Sequence, residues 1–100
     1  MNFTPKTPEE EIVRAGEAKR IIESVMWQEA VKHIESSLAS QRQAVPLRET
    51  EMHTRLIIAE QVFVKLQDFF QQIVETGHMA EITLANQRSL MERMAAQFRR

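Results

Sequence analysis

MHTRLIIAEQVFVKLQDFFQQIVETGHMAEITLANQRSLMERMAAQF, residues 52–98, carries a seven-residue apolar repeat in two lines. One line is Met52, Ala59, Leu66, Ile73, Ala80, Gln87 and Met94. The other is Leu56, Phe63, Phe70, Gly77, Leu84, Met91 and Phe98. Spacings that alternate between three and four place both lines on one stripe of a helix, and a sustained stripe calls for a packing partner. The flanks differ on the two sides of Gly77. Before it, Ile57, Ile58, Val62, Val64, Phe69 and Val74 widen the apolar face. A face that wide predicts contact with more than one helix, and helices 1 and 2 are expected to cover it. After Gly77 the seam is thin: Ala80, Leu84, Met91, Met94 and Phe98, with Leu90 alongside. A narrow seam suits one partner helix. Gln87 falls within it, where a buried polar residue costs stability but sets register and oligomeric state.

Gly77 admits two readings. Glu75-Thr76-Gly77-His78 can close a helix, with Gly77 in the left-handed cap conformation and His78 at the helix end. The apolar register, however, crosses Gly77 without a shift, which a turn has no reason to preserve. That favours one helix, continuous or kinked, from about Arg48 to Gln97, roughly 75 Å long at ~1.5 Å per residue. In one case residues 79–99 are a fourth helix folded back on its own bundle. In the other they continue helix 3 (residues 48–76) as an association arm.

Upstream, Thr7-Pro8-Glu9-Glu10 is a helix start: Thr7 caps, Pro8 suits the first helical position and Glu10 completes a capping box. Helix 1 is expected over residues 8–23, after an arm of residues 1–7 with Phe3 as its one large anchor. Gly16 is a mild cost inside helix 1, or marks a close approach to a neighbour. Ser24 reads as a second cap, because the apolar phase then shifts to Trp27, Val31, Ile34 and Leu38. Helix 2 spans residues 25–44 and ends where Pro46 forces Val45 out of helical conformation. No useful stretch alternates with period two, so no strand is expected. The fold class is all-α: a small bundle of three to four helices in one domain, with a long C-terminal helix.

Composition agrees. One hundred residues with 43% hydrophobic and 27% charged side chains fit one small globular domain rather than a disordered chain. A net charge of −1 gives no overall basic field for nucleic acid or an anionic membrane. There is no cysteine, hence no thiolate metal site. The longest purely aliphatic run, Leu56-Ile57-Ile58-Ala59, is far short of the ~20 residues that a membrane span needs. A cytoplasmic protein is expected.

No constellation points to catalysis. His33, His53 and His78 form no metal-ligand pattern, and Glu29 with His33 is a solvated pair one turn apart. Asp68, the only aspartate, falls opposite the seam. The serines lack a nucleophile turn, and no glycine-rich loop can cradle phosphate. No enzyme activity, metal, cofactor or small-molecule substrate is expected. After residue 87, Arg88, Arg93, Arg99 and Arg100 face only Glu92. Cations there suit the helix dipole, and could also grip nucleic-acid phosphates or an acidic protein surface. The aromatic residues Trp27, Phe63 and Phe70 belong to core stripes.

Arg14-Ala15-Gly16-Glu17-Ala18-Lys19-Arg20-Ile21-Ile22, Met26-Trp27-Gln28-Glu29-Ala30, Arg48-Glu49-Thr50-Glu51 and Val74-Glu75-Thr76-Gly77 are spread over most of the chain. In these segments it resembles short all-helical proteins encoded by tailed bacteriophages. The resemblance implies a virion-structural or assembly role, in the virion or the host cytoplasm, and carries over no functional residue. The leading expectation is a helical interaction protein that forms homo-oligomers or larger assemblies through Leu84, Gln87, Leu90, Met91, Met94 and Phe98. The alternatives are a small nucleic-acid-binding module of DNA-packaging or regulatory type, and a helical inhibitor of a host protein.

Overall fold

The computed structural model describes residues 6–99. The chain is all-α, with α1 at Pro8–Glu23, α2 at Val25–Ala44 and α3 at Thr50–Phe98, and no strand among the described residues. The expectations for Phe3 and Arg100 lie outside the described residues.

Local chemistry sets each boundary. The Glu10 N–H donates to Thr7 Oγ1 at 3.2 Å, which satisfies one of the free donors at the start of α1, and the Glu11 N–H closes the first helical bond on the Thr7 carbonyl at 3.0 Å. Ser24 divides α1 from α2. Its backbone is extended, with φ −68° and ψ 145°. Its hydroxyl donates backward to the Ile21 carbonyl at 2.7 Å and accepts forward from the Trp27 N–H at 3.2 Å. One side chain thus ends one helix and caps the next. At the other end of α2, Val45 is extended as the following proline demands, and its N–H closes on the Gln41 carbonyl at 3.0 Å. The Glu49 N–H then turns back to the Pro46 carbonyl at 3.0 Å, which delays the start of α3 to Thr50 rather than Arg48. The Pro46 carbonyl also lies 3.2 Å from His53 Nε2, which ties the loop to the first turn of α3.

α3 is one helix of 49 residues that passes through Gly77. No described residue has a positive φ, so Gly77 is not a cap and His78 sits within the helix rather than at its end.

The chain groups into two compact units: Arg20–Gln71, and the chain up to Lys19 with Gln72 onward. Within Arg20–Gln71, α2 lies antiparallel to the first part of α3. Trp27, near the start of α2, meets Phe70 edge-on at 5.0 Å between ring centroids, and Arg42, near its end, pairs with Glu60. Trp27, Val31 and Leu38 are half-buried on the α2 side. Opposite them, Leu56 is buried and Phe63 and Phe70 are half-buried, as are the polar His53, Glu60 and Gln67.

Within the other unit, α1 crosses α3 at small residues. Ala18, Gly77 and Ala80 are buried. A methyl added at Gly77 would collide with the Ala15 side chain and sit 3.1 Å from the Glu11 carbonyl oxygen. Gly77 is therefore a point of close backbone approach. Gly16 is not: a methyl there meets nothing within 4 Å.

This arrangement corrects the expected cover. Helices 1 and 2 were both expected over the wide face before Gly77. Instead α1 up to Lys19 packs with α3 beyond Gln72. The reason is steric: Ala15 and Ala18 of α1 against Gly77 and Ala80 of α3 allow a closer approach than the bulky side chains of the wide face.

Candidate interaction surfaces

Two apolar surfaces are left without a partner, one in each unit. The first comprises the residues of the thin seam. Ala80 is buried where α1 crosses, and Leu84, the next seam residue, is half-buried. Beyond it Gln87, Leu90, Met91, Met94 and Phe98 are all exposed, Met91 to 69% and Phe98 to 85%. Gln87 is thus open rather than buried among apolar neighbours within the single chain. An open concavity of about 620 Å³ is lined there by Leu84, Gln87, Arg88, Met91, Glu92 and Ala95 of α3, with Glu9 of α1. Its apolar floor suits a side chain or helix edge.

The charges around that concavity bear on the alternative partner. Arg88, Arg93 and Arg99 are exposed. Arg88 shares the concavity with Glu9 and Glu92, whose carboxylates oppose an incoming phosphate as much as the guanidinium attracts it.

The second surface lies on α3 within Arg20–Gln71, and sequence reasoning assigned it to the core. The two apolar lines of the repeat do not share a fate. Leu56, Phe63 and Phe70 face α2. The positions that join them are not Met52, Ala59 and Leu66 but the residues one step on, His53, Glu60 and Gln67. α3 is turned about its axis so that Met52, Ala59 and Leu66 flank the contact with α2 and, with Ile58, Val62 and Phe69 further round the helix, are exposed. Phe69 rests edge-on against Phe70 at 5.5 Å between centroids and presents its outer face. Glu60, half-buried on the α2 side, pairs there with the largely exposed Arg42, so its carboxylate is not left without a cation. Five large apolar residues contiguous with Ala59 on one helix face are more than the scattered exposed hydrophobes of an ordinary surface. The signal was in the sequence as the width of the apolar arc; what it lacked was which part of the arc α2 takes.

The residues weighed for chemistry stay dispersed. Glu29 and His33 are exposed on α2, Asp68 and His78 on α3, and His53 is engaged with Pro46. Among the described residues no three metal-ligating side chains gather, and no helix is long and apolar enough to cross a membrane. No known protein family, curated protein or solved structure matches the chain.

Proposed function

We propose that this chain is a non-enzymatic helical interaction protein that works by packing exposed apolar helix faces against protein partners, first of all copies of itself. The observation that carries the reading is the imbalance of burial. Among the described residues the buried apolar side chains are Ala18, Leu56 and Ala80, two of them no larger than a methyl group. Exposed leucine, isoleucine, valine, methionine and phenylalanine side chains lie in helical register on both units. A stable fold has to bury enough apolar surface to offset chain entropy, and small domains that cannot do so alone associate. On this reading the small bundle expected from the sequence closes between chains. Leu84, Leu90, Met91, Met94 and Phe98 dock against a partner helix, and Gln87 fixes its register. The resemblance to helical phage proteins supplies the setting we propose, a virion-structural or assembly component.

Light scattering on the full chain tests this. Because α1 leans on Gly77 and Ala80, cutting the chain near residue 79 would also uncover α1, so exposed side chains are the better target. Self-association that weakens in the Met91→Ser, Met94→Ser, Phe98→Ser triple variant, with helicity retained, supports the reading. A chain that stays monomeric at all concentrations contradicts self-association.

A further inference from the structure

We propose that the outward face of α3 between Met52 and Phe69 is the contact surface for a second copy of this chain, with the two α3 segments antiparallel and Phe69 of each copy seated over Ala59 of the other. The inference rests on the self-association reading and adds to the seam beyond Leu84 a second contact surface with a register of its own.

Area is the first argument. Met52, Ile58, Val62, Leu66 and Phe69 are between 45% and 61% exposed. With roughly 200 Å² for the Phe69 side chain and less for the four aliphatic ones, about half exposed, they offer on the order of 400–500 Å² of apolar surface. A standard interface takes about 800 Å² from each partner, and some 65% of it is apolar where the interface joins like subunits. The face therefore holds about the apolar share that one side of a stable dimer contributes.

Spacing is the second. Ala59, Val62, Leu66 and Phe69 follow one another by three, four and three residues, the repeat of a helix that packs along a second helix. The third is self-complementarity, which a two-fold interface requires because the same patch serves both sides. Antiparallel pairing about an axis level with residue 64 along the helix sets Ala59 opposite the second copy's Phe69, and Val62 opposite its Leu66. Each large side chain then meets a smaller one. Parallel, in-register pairing would set Phe69 against Phe69 and Ala59 against Ala59, a clash beside a void. Lys65 borders the face near the axis and is exposed.

The chain has no cysteine, which allows a direct test of register. Val62→Cys and Leu66→Cys variants are oxidised separately and as a mixture. The antiparallel register predicts a disulfide-linked dimer in the mixture and little in either variant alone, since like positions then lie beyond the ~7 Å Cα separation that a disulfide spans. Phe69→Ala weakens the dimer by on the order of 30-fold, as the loss of a central aromatic anchor does. Adding Ala59→Phe to that variant restores much of the affinity, because the large side chain has only changed sides. Cross-linking of either variant alone as readily as the mixture overturns the antiparallel register. Dimers seen by light scattering without any cross-link place the interface elsewhere and leave the self-association reading standing. A monomer at every concentration removes both.

Discussion

The substitutions Gly77→Ala and Gly16→Ala make the same chemical change in two helix interiors with opposite surroundings. In an open helix, alanine is favoured over glycine by about 0.8–1.0 kcal/mol through the backbone entropy it removes from the unfolded chain. Gly16 faces open space, so its replacement stabilises by about that amount, or ~4–8 °C in Tm for a domain of this size. At Gly77 the new methyl meets the Ala15 side chain and the backbone of Glu11. Neither can swing aside as a long flexible side chain would, so α1 has to move off α3. Overpacking of this kind costs about 1–3 kcal/mol. After the propensity gain is subtracted, Gly77→Ala is neutral to destabilising by about 2 kcal/mol. The difference between the two variants isolates the crossing, because the propensity gain is common to both. Thermal or urea unfolding followed by far-ultraviolet circular dichroism measures it. Adding Ala15→Gly to Gly77→Ala should recover part of the loss, a coupling expected between residues in contact. If Gly77→Ala stabilises as much as Gly16→Ala, α1 does not cross α3 at Gly77 and the account of that unit is wrong.

Three further outcomes follow from the contacts. Ser24→Ala removes a hydroxyl that serves both α1 and α2, and should cost about 1 kcal/mol in the same unfolding assay, with Ser24→Gly costing less. Phe70→Ala strips the edge contact from Trp27, the only tryptophan, and should shift its fluorescence emission to the red while lowering stability by about 1–3 kcal/mol. A double-mutant cycle with Arg42→Ala and Glu60→Ala should give a coupling of about 0.2–1 kcal/mol that shrinks in 1 M salt, since the arginine is largely exposed; a salt-independent coupling would show a drier pair than the structure describes.

Much of the fold could be read locally. Thr7, Ser24 and Pro46 announce boundaries through their own backbone chemistry, so α1 and α2 could be delimited without knowledge of any neighbour. Gly77 could not be resolved in that way. A glycine serves a left-handed cap and a close helix crossing equally well, and only the position of Ala15 decides between them. Gly16, read as either a mild cost or a close approach, faces open space. The exposed face of α3 was hidden for a related reason. Its apolar arc runs on past any single contact stripe, so a pattern of hydrophobicity marks the arc but not the part that α2 occupies. The polar residues Glu60 and Gln67 lie on the occupied side. A charge with a cross-helix partner such as Arg42 is tolerated there, and it leaves the purely apolar line free.

The central claim, that the chain completes its fold by association, is tested most directly by the dependence of unfolding on protein concentration. A dimer gains stability by mass action, about 2.7 kcal/mol for a hundredfold rise in concentration, which shifts Tm by on the order of 10 °C. The account predicts that rise across a hundredfold dilution series followed by circular dichroism. A Tm that stays fixed over the same range, in a species whose mass remains 11.7 kDa, would contradict it.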